Sequence, residues 1–295
     1  MSVDSTASIR TDVAQAAREG RRLEEGVIGE LASLSDILSL GALADEARRR
    51  RHATTATYVR VWELPLDRPD DWTAPPPAAR ELRLVGVPAS ADAAMDAVRR
   101  ARALAAERVV RGFSTADLGV LGGAPAAAEL ARAGLDELAW IDVGPEAVEI
   151  VGAVRRAGLA ARVLGAERAP ADRVAWLLAA RALVDAVGGI DVAAPLPRIQ
   201  EPATPTTGFD DVRTVALARI ALDQVASIQV DWSRYGPKLA QVALTVGADD
   251  LDAVSAVDDP ARGPRRAPLA EVLRNITAAG LVAAERDARH RRLAE

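Results

Sequence analysis

The stretch TTGFDDVRTVALARIALDQVASIQVDWSRYGPKLAQVALTVGADDLDAV, residues 206–254, decides the fold. Thr207 is followed three residues later by Asp210, the spacing of a helix N-cap that reciprocates with the third helical residue. Val212, Val215, Ala216 and Ile220 then recur on one face at helical spacing. SIQVDW, residues 227–232, alternates with period two and is a strand. Gly236-Pro237 opens a second helix, with proline in a first turn that has no use for its N–H. That helix is expected to bury Leu239, Val242 and Ala243 and to stop near Gly247. Helix, strand, helix in this order is a late unit of a parallel α/β protein.

Working outward, the chain keeps the same rhythm. Before it lie a strand at Thr57–Glu63, one at Glu81–Val87, a helix at 92–107, a strand at Val109–Ser114 and a helix at 125–133. A strand at Glu137–Val143, a helix at 145–157, a strand at Leu159–Leu164, a helix at 170–187 and a strand at Ile190–Pro195 follow. Three short helices, at 9–22, 31–37 and 38–51, precede all of this. After it come a proline-rich link, a helix at 269–279 ended by Gly280 and an edge strand in LVAAERD. The organisation expected is an N-terminal helical cap over 1–56, an α/β barrel over 57–257 and a C-terminal linker and helix over 258–295, all one structural unit. At 295 residues the length suits one large domain.

Composition narrows the function classes. Lys plus Arg is 37 against 42 for Asp plus Glu, a net charge of −5, which argues against nucleic acid as a partner. There is no cysteine, so disulfides and thiolate metal sites are excluded. No window approaches the roughly 18 apolar residues of a membrane span, and the first thirty residues lack the apolar run of a signal peptide. A cytoplasmic protein without a membrane partner is expected. Aromatic residues are only 3%, so the core must be built from Ala, Val, Leu and Ile.

The identities in FDDVRTVALARIALD, GPKLAQVAL and GADDLD, together with SDILSLGALADEARRRRH (35–52), LARAGLDEL (130–138) and DRVAWLLAARALVDAVGGIDVAAPLP (172–197), carry a resemblance. The chain resembles aminofutalosine synthase, a radical S-adenosylmethionine enzyme of the futalosine route to menaquinone, and its relative the dehypoxanthine futalosine cyclase. The resemblance implies a TIM-like barrel of the radical S-adenosylmethionine type with an N-terminal helical cap. It also implies an iron–sulfur cluster held by a CxxxCxxC loop after the first strand. Laid on this sequence, the three ligand positions fall at about Asp70, Ala74 and Pro77, and cluster iron needs thiolates. The family's loop and helix are replaced by LPLDRPDDWTAPPPAAR, with no helical period, so the barrel is expected to be incomplete at its first two strands. The family's double glycine after strand two is Gly86-Val87-Pro88 here, and its glycine-rich turn after strand four is AWIDVGPEA. Each replacement adds a side chain where backbone approaches the cofactor. No cofactor is therefore expected, neither a cluster nor S-adenosylmethionine, and Trp140 is expected to fill vacated space.

In α/β barrels reactive groups sit at the C-terminal strand ends. Those ends supply Glu63, Ser114, Thr115, Asp142, Glu167, Arg198, Asp231 and Trp232. Glu63, Asp142, Glu167, Arg198, Asp231 and Trp232 are the candidate ligand-binding set. Carboxylates gathered at one mouth can do acid–base chemistry or hold a divalent cation; singly, each is a solvated acid or a helix cap. GVLGGAP (119–125) lacks the lysine and spacing of a P-loop and reads as a turn. The basic run Arg48–His52 reads as a solvated helix end, and both histidines, His52 and His290, as exposed. Three functions fit this sequence: an accessory protein partnered within the same pathway, an enzyme repurposed around the mouth acids, or a binder of a nucleoside or aromatic acid.

Overall fold

A computed structural model describes residues 9–167, 172–197, 207–258 and 269–294. Nine parallel strands form its centre: β1 (Thr55–Pro65), β2 (Glu81–Val85), β3 (Val109–Ser114), β4 (Glu137–Trp140), β5 (Val163–Glu167), β6 (Val192–Leu196), β7 (Ser227–Asp231), β8 (Asp250–Ser255) and β9 (Val282–Glu285). Their order is β4-β3-β2-β1-β8-β7-β6-β5, with β9 added to β1. The two ends of this order meet through isolated bridges, Glu137 with Ala160 and Ile141 with Leu164. The wall is a nearly closed eight-stranded parallel barrel, thinnest between β4 and β5.

Helices shield the outside: α4 (Ala91–Ala105), α5 (Thr115–Leu121), α6 (Ala124–Ala133), α7 (Ala147–Arg156), α8 (Arg173–Val187), α9 (Gly208–Ala221), α10 (Trp232–Thr245) and α11 (Leu269–Ala278). Leu82, Val110, Leu138, Leu164, Ala193, Ile228 and Leu251 point from the strands into this shell and form one continuous core with it. Because side chains alternate along a strand, the residues between them face the barrel axis.

No α-helix forms between the first two strands, as the missing helical period predicts, and a single 3-10 turn, Pro69–Asp71, is the helical element there. The strands themselves pair over five residues, from Val61 with Glu81 to Pro65 with Val85. What is incomplete there is the helical layer, not the wall. β9 covers the edge of β1 at Thr55–Tyr58 that lies ahead of the first β2 pair.

The opening stretch folds as its pattern dictates at α9, whose Thr207 hydroxyl accepts from Asp210 N at 3.2 Å. Val212, Val215, Ala216 and Ile220 are all buried. In α10 the chain breaks at Gly236, φ +74°, and resumes helically at Pro237. Its buried face is Trp232, Tyr235, Ala240, Ala243 and Leu244; Val242, expected inside, is exposed, and Leu239 is half-buried. GADDLDAV contains β8, a strand its acids concealed. Residues 115–121 form α5, so GVLGGAP, read as a turn, is the end of that helix, a turn at Gly122-Gly123 alone, and the start of α6. Strand β5 begins four residues later than the sequence pattern suggests.

The N-terminal helices are α1 (Thr11–Glu19), α2 (Glu25–Ser33) and α3 (Ile37–His52). The second lies six residues earlier than expected, because Asp36 is needed as the cap of α3, accepting from Leu38 N and Ser39 N at 3.1 Å. They cap the barrel from the side, α3 against α9 and α2 against α8 and α9. The basic run at the end of α3 is only partly solvated, with Arg49 and Arg50 exposed and the other three turned inward. Arg48 is buried on Asp45 and the Ala53 carbonyl, Arg51 donates to the carbonyls of Asp223 and Val225, and His52 meets the Ala226 carbonyl at 2.8 Å. Carbonyls in the loop before β7 draw these side chains inward, which is why the expected exposure of His52 does not hold.

Candidate functional site

The axis of the barrel is charged. Arg83 on β2 makes a two-pronged bond to Asp252 on β8, at 2.7 and 2.8 Å, and bonds Glu81 at 2.8 Å. Since β1 lies between β2 and β8, this pair reaches through the interior. Arg286, just after β9, clasps Asp250 with two bonds of 2.6 Å, and Thr57 donates to the same carboxylate at 2.5 Å. Arg111 lies 3.2 Å from Glu137 and 3.4 Å from Glu81 and donates to the Ala288 carbonyl at 2.8 Å. All of the charged groups here are buried, and a buried charge persists only when paired. Burial works against the Arg286 charge, but Asp250 and Asp252 outweigh it and raise its pKa. Burial likewise opposes ionisation of Asp252, yet the Arg83 guanidinium holds it below the usual carboxylate range. His290, expected exposed, sits over this network with its pKa driven down by burial and by Arg286 and Arg111.

Above this column lies the C-terminal mouth. Register pairs Glu63 with Arg83 and Asp231 with Asp252. Glu63 and Asp231 thus end a polar strip over four adjacent strands, β2-β1-β8-β7. Asp231 caps α10, its carboxylate accepting from Ser233 Oγ at 2.6 Å and Arg234 N at 3.1 Å. Burial, reinforced by the Asp252 charge, pushes its pKa up to about 6. Trp232 is the first residue of α10 rather than the last of the strand, and is fully buried.

Asp142 belongs to a different arrangement. Its carboxylate accepts from Ala116 N at 3.0 Å, Thr115 Oγ1 at 3.3 Å and Trp140 Nε1 at 3.2 Å, holding the first turn of α5. Ser114 caps the same helix reciprocally with Asp117. Trp140 packs on Val163, Val192 and Ala194. A Cβ on Gly165 would come within 2.7 Å of Trp140, so the tryptophan packs directly on that glycine. Glu167 ends β5 as a backbone position, and Arg198 lies outside the described residues. The structure therefore sets Glu63 beside Arg83 and Asp231 beside Asp252, the two members of one ion pair, and leaves Asp142 apart as a helix cap.

Sequence reasoning missed the charged neighbours of Asp231, namely Asp252 and Arg83, and the Glu81 that shares Arg83. Their signal was there: ELRLV and DLDAVS place charges at alternate positions of otherwise apolar strands, which marks an axis-facing row. It also missed Trp62, Asp71 and Trp72, which with Glu63, Leu64, Pro65, Arg68 and Thr73 line a cavity of about 460 Å³ at the end of β1.

The loop at that cavity holds the three positions that the resemblance matches to cluster ligands. Asp70, Ala74 and Pro77 are exposed and offer no thiolate, so the residues present do not fit an iron–sulfur cluster. The loop is also pinned shut: Leu66 N donates to Val85 O at 2.9 Å, Arg80 N to Arg60 O at 2.9 Å, and Trp72 Nε1 to Pro65 O at 2.8 Å.

Comparison with known proteins agrees with this architecture. Residues 189–290 match the family described as the CofH/MqnC C-terminal region. The chain is a relative of the futalosine-route radical S-adenosylmethionine enzymes. It is 29% identical over 157 residues to the cyclic dehypoxanthine futalosine synthase of Streptomyces coelicolor, covering 50% of this chain and 38% of that one. It is 35% identical over 116 residues to the 5-amino-6-(D-ribitylamino)uracil–L-tyrosine 4-hydroxyphenyl transferase of Archaeoglobus fulgidus, covering 36% of this chain and 34% of that one. The chain thus matches little more than a third of the length of these relatives. Methylornithine synthase (PylB) shares the fold, with a TM-score of 0.67 at 10% identity over 92% of this chain and 97% of that one. Among the described residues no helix is long and apolar enough to cross a membrane.

Proposed function

We propose that this relative acts without radical chemistry, as an accessory or partner protein of the pathway its relatives serve, and that it binds neither a cluster nor S-adenosylmethionine. The observation that carries the reading is the loop after β1. Thiolates are missing from all three ligand positions, and the loop is fastened to β1 and β2 at both ends. The S-adenosylmethionine chelate of the family needs the open iron of that cluster. Without it only backbone contacts remain, and Trp140 stands on Gly165 where one such turn would be. Every 1.4 kcal/mol lost is about tenfold in affinity, so two such losses carry a micromolar site to millimolar. With no membrane-spanning helix among the described residues and no cysteine, a cytoplasmic setting fits this role.

Anaerobic reconstitution with iron and sulfide, followed by desalting, tests the reading. The expected outcome is no stable cluster absorption and no saturable S-adenosylmethionine isotherm at micromolar concentration. A stoichiometric cluster that survives desalting overturns it. For the partner role, adding the chain to a cluster-bearing cyclic dehypoxanthine futalosine synthase is expected to alter its turnover and to give a co-eluting complex. A second reading, a repurposed acid–base enzyme, is favoured by Asp231, whose elevated pKa near neutrality suits proton transfer. Turnover of a small polar substrate lost in Asp231→Asn would select that reading instead.

A further inference from the structure

The outer helices leave one apolar surface uncovered. Leu38 on α3, Phe209 on α9 and Val242 on α10 are 82%, 51% and 46% exposed. Among the described residues seven large apolar side chains are exposed, and these three gather around one groove of about 540 Å³. Small residues make its hollows: Gly41, Ala42 and Gly208 line it, and a Cβ on Gly41 would come within 2.8 Å of Val246. The Arg213 guanidinium lies 4.9 Å from the centre of the Phe209 ring and is itself bound to the carbonyls of Ala32 and Leu34. The ring is thus held at the surface. Knobs and hollows lie side by side on one face.

The lining suits a protein surface better than a small polar molecule. Among its described residues the only polar side chain is Thr245, whose hydroxyl donates to the Val242 carbonyl at 2.7 Å. Small-molecule sites carry a few polar groups that fix orientation, and none is on offer here. Apolar patches rimmed by polar residues mark interaction sites, and this rim carries both signs of charge. Asp36, next to Ile37 and Leu38, accepts only from neutral donors: Leu38 N, Ser39 N and Ser39 Oγ. Lys238, one turn before Val242 on the same side of α10, is exposed. Among the described residues neither forms an ion pair.

A patch that holds knobs, hollows, an unpaired acid and an unpaired base is complementary to itself. A two-fold axis through such a patch makes every contact twice. We propose that this face is the interface of a homodimer, with Leu38 and Phe209 of each copy set in the hollow of the other and Asp36 of each facing Lys238 of the other. Eleven residues line the groove, against roughly 20–30 a side in a standard interface, so the dimer belongs to the weak, reversible class. It is independent of the accessory role, since it needs no second protein.

Sedimentation equilibrium of the full chain tests it, over about a 100-fold concentration range centred on tens of micromolar, the affinity expected of a small interface. The weight-average mass is expected to rise from the monomer's 31.0 kDa toward twice that value. Leu38→Glu and Val242→Gln, both at exposed positions, are each expected to weaken association about tenfold or more, with an unchanged melting midpoint in the dilute monomer. Asp36→Asn keeps the helix cap, and Lys238→Gln keeps most of the side chain. Each removes both symmetry-related pairs and is expected to weaken association about threefold to tenfold, and the two together no more than either alone. A mass that stays at the monomer value throughout, undiminished association in either apolar variant, or additive effects of the two charge variants would each overturn the proposal. So would a chain that stays monomeric alone yet binds the cyclic dehypoxanthine futalosine synthase through the same groove, the complex being lost in Leu38→Glu. That outcome would leave the accessory reading standing.

Discussion

The two ends of the barrel are built on opposite principles. At the N-terminal ends of the strands, charges are buried and bound to one another: Arg286 on Asp250, Arg83 on Asp252 and Glu81, Arg111 on Glu137. The segment after β9 closes over them, Ala288 lending its carbonyl to Arg111. At the C-terminal ends, acids serve the first turns of helices, Asp142 for α5 and Asp231 for α10, and part of their surface remains open. Removing a partner at the first end strands a charge away from water. At the second end, water or a neighbour can replace the lost bond. Buried ion pairs and half-open acids are thereby allotted to different ends of the barrel, and the C-terminal end is the one where α/β barrels commonly carry reactive groups.

Arg286→Ala is the largest test of this comparison. It leaves Asp250 buried without its two-pronged partner, and a loss of about 3–5 kcal/mol is expected, read as a lower denaturation midpoint in urea. A loss under about 1 kcal/mol would show that water reaches that end after all. The wall between the ends supplies a reference through Ile228, fully buried on β7. Ile228→Ala is expected to cost about 2–5 kcal/mol through lost burial and a cavity, whereas an unchanged midpoint would misplace the strand face.

Asp231 sharpens the contrast through pH. Its folded pKa, about 6, lies above the ordinary carboxylate value. The folded state thus holds the proton more tightly than the unfolded chain. The stability this provides is fully present below the unfolded pKa and is lost as pH rises through about 6. Asparagine keeps the cap without the charge. Relative to Asp231→Asn, the unsubstituted chain should therefore lose on the order of 1–2 kcal/mol between roughly pH 4 and pH 6. A pH-independent difference between the two unfolding curves would place Asp231 in ordinary solvent contact. The smallest effect is expected at Asp142→Ala, about 1 kcal/mol for a lost cap. If it matches Arg286→Ala, the two ends do not differ as described.

Much of the fold was legible because it is written locally. The cap at Thr207, the alternation of Ser227–Asp231 and the break at Gly236-Pro237 each depend on residues within one or two turns of one another. The absence of thiolates from Asp70, Ala74 and Pro77 follows from residue type alone. Asp142 and Asp231 were legible as strand-end acids, but their roles as helix caps emerged only with the partners in place. Strand β8 was hidden for a related reason: DLDAVS reads as a half-solvated segment until Asp250 and Asp252 are matched with arginines.

By itself, then, the sequence determined the α/β rhythm, the absence of thiolates and the kinship with futalosine-route enzymes. Only the tertiary structure decided which charges are interior. Asp252 meets Arg83 across 169 positions of chain and Asp250 meets Arg286 across 36. His52 is drawn to Ala226 across 174. Whether a charged side chain is buried turns on whether a partner repays its desolvation. No local pattern of residues carries the position of a partner so far along the chain.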